Sequence, residues 1–550
     1  MIEKQQTKRG YTFLPIGALL LVALLIRLPG ITYGLPFLFV PDEIYVVQSA
    51  GQLAAGNFKP NYFYYPVLFQ FFLILSQGGY FVYCLLNGIV DGPAAFKEFY
   101  FFHPTYFYLT ARLISLVFGI LTIWAIYLLG RTVYDRRTGL LSAVLGAFLP
   151  SLFNFSRIGK VETIFCFFVI MAMVYVYRVY RDNYWKDNLL AGIFGGLAIA
   201  AKYNGALIVL PFLMAHLFRF TQNRRQRIRD NQTGKLAVAL ILIAAVSLPF
   251  LPFIYLGLLP GLQPLIKLRN SLFAGGVGNG LMSYSQTLSI FCQNLTIGAG
   301  ILLPIMLALA WLYYIFRGGR KEWLLLLPFL PAAVPLTFSG FPLVRYYLPW
   351  LVITLVPMSA LVIRLTDKIR SPRWRIFSIV AFMLVVLPQP LLIIKKRLYL
   401  SSQTDTRTLA YNWVMDNITS GTLIALENNV PPIKNRENEG IPPCDRYRTV
   451  QIHNYYQALY GGEAWIKKTE EETPTLEKLR EEGVEVVIIN SSNYGKYEEN
   501  PESFPRRLGF YRDLSKKTRL LNEFPYRPKE RMGPGIRIYR IKDCNERNPE

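Results

Sequence analysis

Long apolar segments separated by short basic segments recur along the first 400 residues of the chain. Apolar segments of about 20 residues are typical of helices that cross the roughly 30 Å hydrocarbon core of a bilayer. The pattern predicts spans over residues 11–30, 105–130, 138–156, 162–180, 188–201, 203–220, 236–258, 291–316, 322–338, 343–364 and 374–394. No small-residue cleavage site follows the first apolar run, Phe13 to Leu28, so we expect it to remain as an anchor. The chain is therefore predicted to be a polytopic α-helical membrane protein.

The basic clusters between these segments predict the orientation of the chain, because Lys and Arg accumulate in cytoplasmic loops. Placing every cluster in the cytoplasm makes the N-terminus cytoplasmic and residues 399–550 extracytoplasmic. The aromatic segment YFYYPVLFQFFLILS, residues 62–76, breaks this parity if it crosses the membrane. We therefore expect interfacial or re-entrant helices over 44–76 on the outer side, and a second crossing within 78–103 is the alternative.

The distribution of charge excludes nucleic acid as the partner, although the net charge is +24. Residues 1–400 hold 36 basic and 12 acidic residues, whereas residues 401–550 hold 23 of each. The excess positive charge thus belongs to the loops between spans, where it holds the orientation. We expect a multi-pass protein of the cell membrane, specifically of a bacterial inner membrane. The lipid bilayer is then one of its partners.

Three carboxylates lie next to apolar sequence at the predicted outer boundary: Asp42, Glu43 and Glu162. The other acidic residues of the membrane region fall in predicted cytoplasmic segments or, for Asp91 and Glu98, in a polar outer loop. An ionisable group at the membrane boundary is costly and suggests function. Acidic residues also favour the first turn of a helix, and this reading stays open, above all for Glu43.

Basic residues are also predicted on the outer side, namely Arg27, Lys59, Arg112, Arg157, Lys160, Lys202, Lys267, Arg269 and Arg345. Lys202 lies in the turn AAKYNG between two spans, against the usual charge bias, so we expect it to have an anionic partner. We expect Arg27, Arg112 and Lys267 to extend towards the lipid headgroups.

Cations around carboxylates at a bilayer surface suit the transfer of a sugar from a polyprenyl phosphate to an acceptor hydroxyl. We assign Lys202, Arg345, Arg269 and Tyr65 to the donor phosphate. Asp42 is the expected base, with a pKa raised by the nearby low-dielectric region. Glu162 is its expected partner or orienting group, and Glu43 is the third catalytic candidate. We expect no cofactor and no metal, because the surrounding cations favour a phosphate.

Several segments carry a family resemblance in a consistent order. They are the pair Asp42–Glu43, then YYPVLF, ARLISLVFGILTIWAIYLLGRTVYDRRTGLLSAVLGAFLP, FNFSRIGKVETIFCFF, GGLAIAAKYNGALIVLP and VRYYLPW. Together they resemble the integral-membrane glycosyltransferases of the GT-C fold, in the superfamily of protein mannosyltransferases and aminoarabinose transferases. The resemblance implies an outward-facing active site, a polyprenyl-phosphate-sugar donor, and Asp42 as the catalytic carboxylate.

Two positions depart from the pattern of this superfamily. Glu162 stands where many members have Asp, and YYP lacks the Lys-Pro or His-Pro of some branches.

The fold that the resemblance implies has about 11 to 13 transmembrane helices and interfacial helices in the first external loop, in keeping with the spans counted above. The expected domains are 1–398, the transmembrane GT-C domain, and 399–550, a small extracytoplasmic α/β domain.

The C-terminal region changes to charged, loop-rich sequence. GTLIALENN, VEVVIIN and GIRIYRI predict strands, and TPTLEKLREEG predicts a helix that ends at Gly483. We expect this domain to shape the acceptor site and assign it no chemistry, because it lacks a nucleotide-binding glycine motif. Cys444 and Cys544 could form a disulfide there.

The main alternative is a secondary transporter or a non-catalytic carrier of lipid-linked sugars. Transporters are expected to show internal repeats and charges near the middle of the membrane. The candidate charges here cluster at one face, which favours the transferase. The identity of the sugar and of the acceptor, whether lipid, glycan or protein, stays open.

Overall fold

The computed structural model describes residues 2–58, 65–226, 230–252, 284–326, 344–433, 446–452, 463–499 and 501–541. These residues confirm the predicted class, a helical membrane protein with a sheet-containing C-terminal region. Helices are numbered below in chain order within the described residues. The predictions for five residues are not addressed by the structure, because these residues lie outside the described ranges: Lys59, Lys267, Arg269, Cys444 and Cys544.

The helices of the N-terminal region are α1 (Ile2–Leu25), α2 (Pro41–Ala54), α3 (Leu68–Leu86), α4 (Pro93–Phe102), α5 (Thr105–Val133), α6 (Arg136–Ala147), α7 (Pro150–Phe155), α8 (Glu162–Arg181), α9 (Trp185–Ala201), α10 (Val209–Gln226), α11 (Gln232–Ser247), α12 (Tyr284–Ala299), α13 (Leu302–Arg317), α14 (Arg320–Leu326), α15 (Val344–Asp367), α16 (Pro372–Val386) and α17 (Pro388–Ser402). Short 3₁₀ turns, Tyr203–Ile208 and Leu248–Phe250, precede α10 and follow α11.

By length and composition, six helical segments of the described chain could cross a membrane, or eight if each of two bent helix pairs counts as one span. The chain is thus a multi-pass membrane protein. Two of these helices, α8 and α15, form its centre, with 78% and 83% of their apolar windows buried. Side chains that are apolar on all sides of a helix are expected where other helices surround it.

Three predicted spans are broken in the structure, each at a residue that interrupts the helical hydrogen-bond pattern. The span 138–156 divides into α6 and α7 before Pro150, which begins a new helix because proline has no backbone N–H to donate. The span 291–316 divides into α12 and α13 at Gly300, and the two helices are bent by 106°. The span 374–394 divides into α16 and α17 before Pro388, which has no backbone N–H to donate, and the two helices are bent by 46°.

Helix α3 runs antiparallel to the first half of α5. The Phe72 ring contacts Phe118, with 5.5 Å between centroids, while the Tyr80 ring contacts Phe107 at 5.8 Å. α3 is long and apolar enough to be a span, and it continues ten residues beyond the predicted segment 62–76, to Leu86. The expectation of interfacial or re-entrant helices over 44–76 therefore stays a prediction.

The C-terminal region forms an α/β fold around a five-stranded sheet of order β2-β1-β3-β5-β4. Strands β1, β2 and β3 are parallel to one another, and β5 pairs antiparallel with β3 and β4. Its elements are α18 (Thr406–Asn417), β1 (Leu423–Leu426), β2 (Arg448–Gln451), α19 (Glu463–Glu471), α20 (Leu476–Glu481), β3 (Val486–Asn490), α21 (Ser491–Glu498), α22 (Pro505–Lys517), β4 (Arg519–Phe524) and β5 (Ile536–Arg540). The three strands and the helix predicted from sequence are confirmed as β1, β3, β5 and α20. The boundary between residues 398 and 399 stays a prediction.

Candidate active site

Two adjacent acidic residues lie in the first turn of α2. Pro41 occupies the start of this helix, where its missing N–H costs no hydrogen bond, and Asp42 and Glu43 follow it. Negative charge is favoured here by the unpaired N–H groups of the helix N-terminus. The local sequence therefore explains why acids are tolerated here, whereas their partners decide what each acid does.

Asp42 lies at the meeting point of two cations from distant parts of the chain. Its Oδ2 accepts hydrogen bonds from Lys160 Nζ and, at 2.8 Å, from a terminal guanidinium nitrogen of Arg345 at the start of α15. The side chain stays 47% exposed. Burial raises the pKa of Asp42, but Lys160 and Arg345 together lower it further, so the pKa lies below its ordinary value. The prediction of a raised pKa for Asp42 is therefore wrong, because its two cationic partners outweigh desolvation.

Glu43 is sealed in the protein interior, with 1% of its side chain exposed. Arg112 Nε donates to Glu43 Oε1 at 2.9 Å, and Arg112 Nη2 donates to Oε2 at 2.7 Å. The backbone N–H of Gly159 donates to Oε1 at 2.7 Å. A bidentate Arg–carboxylate pair with its remaining lone pairs satisfied is what a buried charge requires. These contacts favour a structural role for Glu43 rather than the catalytic role considered from the sequence.

The arginines expected to reach the headgroups instead lie inside the fold. Arg112 is buried against Glu43, and Arg27, with 0% exposure, donates to the carbonyl oxygens of Ala23 and Ala147 at 2.9 and 2.8 Å. Because these carbonyls end α1 and α6, the Arg27 cation also meets the negative ends of two helix dipoles. The prediction that Arg27 and Arg112 extend towards the headgroups is wrong, because internal acceptors are within their reach.

Lys202 occupies a sharp turn between α9 and the 3₁₀ turn that follows. Its backbone is extended, with φ −157° and ψ 138°. Gly205 allows this turn to lie against α9, since a Cβ at this position would be 2.4 Å from the carbonyl carbon of Ala198. The turn directs Lys202 into the interior, where its Nζ lies 3.7 Å from Glu162 Oε1. The predicted anionic partner of Lys202 is confirmed as Glu162.

Aromatic rings surround the Lys202 ammonium group. The ring centroids of Tyr65 and Tyr346 lie 5.3 and 5.2 Å from Nζ, and Phe165 lies at 5.8 Å. The Arg345 guanidinium carbon lies 5.3 Å from the same Tyr346 ring, so this ring contacts both cations. Cation–π contacts of this kind stabilise a desolvated cation without neutralising it.

The hydroxyl of Tyr65 lies within electrostatic reach of both carboxylates and of Arg345. Burial raises the pKa of the Tyr65 hydroxyl; among its neighbours, the carboxylates Glu162 and Asp42 raise the pKa as well, while Arg345 lowers it. The structure thus brings Asp42, Glu162, Lys202, Arg345 and Tyr65 into one site, as the sequence predicted, and adds Lys160 to it.

Several polar atoms of this site are buried and have no hydrogen-bond partner among the described residues. They are Lys202 Nζ, Glu162 Oε2 and Arg345 Nε. Buried polar groups in folded proteins are nearly always hydrogen-bonded, and exceptions often mark the place of a ligand. An anion with several oxygen atoms, such as a phosphate, would satisfy the cationic donors.

Lys160 is the residue of this site that the sequence analysis left without a role. It lies close to Glu162 in SRIGKVE, so its nearness to a boundary carboxylate was a usable signal.

The described residues also bear on the requirements of a metal site. Within the described ranges, no group of three or more His, Cys, Asp and Glu side chains could hold a metal ion.

Comparisons with known proteins connect this fold with membrane-embedded transferases. The family model for dolichyl-phosphate-mannose-protein mannosyltransferase matches residues 108–253, a range that contains Lys160, Glu162 and Lys202. No curated protein matches the chain.

Solved structures support the fold over almost the whole chain. The aminoarabinose transferase ArnT from Cupriavidus metallidurans, in the apo state, is 13% identical with a TM-score of 0.50, and the match covers 99% of this chain and 100% of that one. An Archaeoglobus fulgidus oligosaccharyltransferase in complex with Zn and sulfate is 16% identical with a TM-score of 0.51, and the match covers 94% and 72% of the two chains. The chain therefore has the same fold as these two proteins, the GT-C fold.

Proposed function

We propose that this protein is a membrane glycosyltransferase that moves a sugar from a polyprenyl-phosphate-linked donor to an acceptor hydroxyl on the extracytoplasmic face. The observation that carries the proposal is the cluster around Lys202. There, Lys202 Nζ, Arg345 Nε and Glu162 Oε2 are buried and lack hydrogen-bond partners among the described residues, beside the ion pairs of Asp42. The match to a family named for a dolichyl-phosphate-mannose donor supports the choice of substrate class.

In this proposal Lys202 and Arg345 bind the donor phosphate. Cleavage of the bond between the anomeric carbon and the phosphate oxygen leaves the bond electrons on that oxygen, so negative charge develops on the lipid phosphate. Fixed cations in a site with little water stabilise this charge more than they would in bulk solvent. The rings of Tyr65 and Tyr346 hold the Lys202 ammonium group in place without neutralising its charge.

Asp42 serves as the base in the same reaction. The acceptor hydroxyl oxygen forms a bond to the anomeric carbon, and its proton passes to Asp42. In the absence of donor, Arg345 and Lys160 lower the basicity of Asp42. A phosphate that binds Arg345 competes for that cation, so donor binding is expected to raise the basicity of Asp42 when the acceptor needs a base.

Glu162 is the proposed orienting group. Its Oε1 faces Lys202, while its Oε2 has no hydrogen-bond partner among the described residues and is available to accept from a sugar hydroxyl. We propose no cofactor and no metal for the reaction. This arrangement does not specify the identity of the acceptor or of the sugar. The C-terminal domain is still proposed to shape the acceptor site.

One observation favours the alternative of a transporter or carrier of lipid-linked sugars. The bend of 106° at Gly300 interrupts a helix pair in the manner of the discontinuous helices of secondary transporters. The candidate charges nevertheless gather at one end of the helices, beside the first turn of α2, which favours transfer.

The test uses purified protein in lipid vesicles with a radiolabelled polyprenyl-phosphate sugar and an envelope fraction as the source of acceptors. Transfer of label to a new product supports the proposal, and movement of intact donor across the vesicle without a new product supports the carrier. Asp91→Asn, at an exposed acid, is the matched control for substitutions of Asp42. Normal donor binding with neither transfer nor movement would contradict both functions.

A further inference from the structure

Arg112, the arginine of the membrane region that binds Glu43, also holds the segment that links α1 to α2, residues 26–40. Arg112 Nη1 donates to the carbonyl oxygens of Ile31 and Tyr33 at 2.6 and 2.8 Å. Since Glu43 is the neighbour of Asp42, one guanidinium group fixes both the linking segment and the first helical turn that carries Asp42.

The same segment is held on another side by the C-terminal domain. The Tyr33 hydroxyl donates to Asp405 Oδ2, and Arg407 donates through Nε and Nη2 to the two Asp405 oxygens, each at 2.9 Å. Asp405 and Arg407 are only 3% and 7% exposed. A buried ion pair at a contact between two domains has a fixed geometry, because any movement leaves a charge without its partner.

Ring contacts extend this interface towards Asp42. The Arg407 guanidinium carbon lies 3.9 Å from the centroid of the Phe39 ring, and the Phe37 and Tyr411 rings lie 4.8 Å apart. Phe39 is separated from α2 by a single residue, Val40. Contacts of Phe37 and Phe39 therefore connect the C-terminal domain, including the Asp405–Arg407 pair, to the start of α2, the helix that carries Asp42.

The beginning of the segment also touches the end of α17, just before the C-terminal domain. Gly30 has φ +71°, and a Cβ there would lie 2.3 Å from Ser401 Oγ, so only glycine permits this approach. Arg157 donates to the Pro29 carbonyl oxygen and, at 3.1 Å, to Ser401 Oγ. The linking segment is thus in contact with the C-terminal part of the chain at both of its ends.

We infer that Tyr33, Asp405 and Arg407 are positioning residues through which the C-terminal domain sets the place of Asp42 relative to Lys160 and Arg345. This inference rests on the proposed function of Asp42 for its effect on transfer, whereas its structural part does not. The domain is then an integral part of the active site rather than an appended module. Small displacements of a reacting group cost large factors in rate, so the interface controls turnover.

Tyr33→Phe tests the inference, with Tyr511→Phe as the matched control. Each substitution removes one hydroxyl that donates to a buried carboxylate, Asp405 for Tyr33 and Glu427 for Tyr511. Of these two tyrosines, Tyr33 connects the linking segment to the C-terminal domain, whereas Tyr511 and its partner Glu427 both belong to that domain. The measurements are the unfolding temperature, backbone amide exchange over residues 31–48, and the kcat and donor KM for transfer.

We expect both variants to unfold at similarly lowered temperatures. Tyr33→Phe alone should speed amide exchange over residues 31–48 and lower kcat about tenfold with little change in donor KM. Equal exchange and equal kcat in the two variants would overturn the inference. Faster exchange in Tyr33→Phe with unchanged kcat would overturn the effect of the interface on turnover, whereas the catalytic role of Asp42 is tested separately by Asp42→Asn.

Discussion

Asp42 and Glu43 are neighbours in the chain and occupy opposite environments. Glu43 is closed off from solvent and meets a matching guanidinium and a backbone N–H, whereas Asp42 is 47% exposed and shares two cations from separate elements. Successive residues of a helix point about 100° apart. Glu43 accordingly meets Arg112 of α5 and the N–H of Gly159, while Asp42 meets Lys160 and, at the start of α15, Arg345. A pair of acids in a sequence motif can therefore divide into a structural and a chemical member.

The comparison also extends to what each acid leaves unsatisfied. Every described contact of Glu43 is short and well directed, in keeping with a fixed structural role. Around Asp42, by contrast, the neighbouring group Arg345 keeps a buried Nε without a hydrogen-bond partner among the described residues. Incomplete pairing costs stability and is retained where a ligand completes it.

Removing the charge of Glu43 should have the largest effect on stability. Glu43→Gln leaves the buried Arg112 cation without its partner, and breaking such a pair costs about 3–5 kcal/mol. The unfolding temperature in detergent should fall sharply, with loss of folded protein during purification. Glu98→Gln, at an exposed acid, should leave the unfolding temperature unchanged. Comparable stability of the two variants would contradict the structural role of Glu43.

Neutralising Lys202 should have the next largest effect, on donor binding. We expect Lys202→Gln to raise the dissociation constant for polyprenyl phosphate about 30-fold or more, because a desolvated charge pair contributes about 2 kcal/mol or more. Lys97→Gln, at an exposed lysine, is the matched control. Binding measured by titration that is equal in both variants would remove Lys202 from the phosphate site.

A smaller effect is expected on the pH dependence of transfer. Lys160 and Arg345 both lower the pKa of Asp42, and we expect the contribution of Lys160 to persist when the donor phosphate competes for Arg345. Lys160→Gln removes one cation and raises the pKa of Asp42. The acidic limb of kcat at saturating donor should therefore move to higher pH, whereas an unmoved limb would show that Asp42 does not titrate in the rate-limiting step.

The helical architecture and most residues of the candidate site could be predicted from the sequence. Long helices such as α5 and α8 are visible in the sequence as long apolar runs, and Lys202 stood out because its charge opposed the predicted topology. The breaks at Pro150 and Gly300 were not predicted, since apolar sequence continues through both. Proline and glycine are tolerated in membrane helices where neighbouring helices satisfy the freed groups.

Pairings between distant residues were the part that the sequence did not reveal. Glu43 and Arg112 lie 69 positions apart, and Asp42 and Arg345 lie 303 apart. Without these partners, exposure to a low dielectric was the visible influence on Asp42, and it predicted a pKa shift of the wrong sign. The Tyr33–Asp405 contact joins residues 372 positions apart and left no local signal.

The most direct test of the division between the two acids measures Asp42→Asn in three ways on one preparation. We predict an unfolding temperature close to that of the wild type, retained or tighter binding of polyprenyl phosphate, and transfer reduced at least about 100-fold. Binding should not weaken, because the substitution removes a negative charge that competes for Arg345 and Lys160. Transfer at the wild-type rate, or a loss of stability as large as that of Glu43→Gln, would contradict the account.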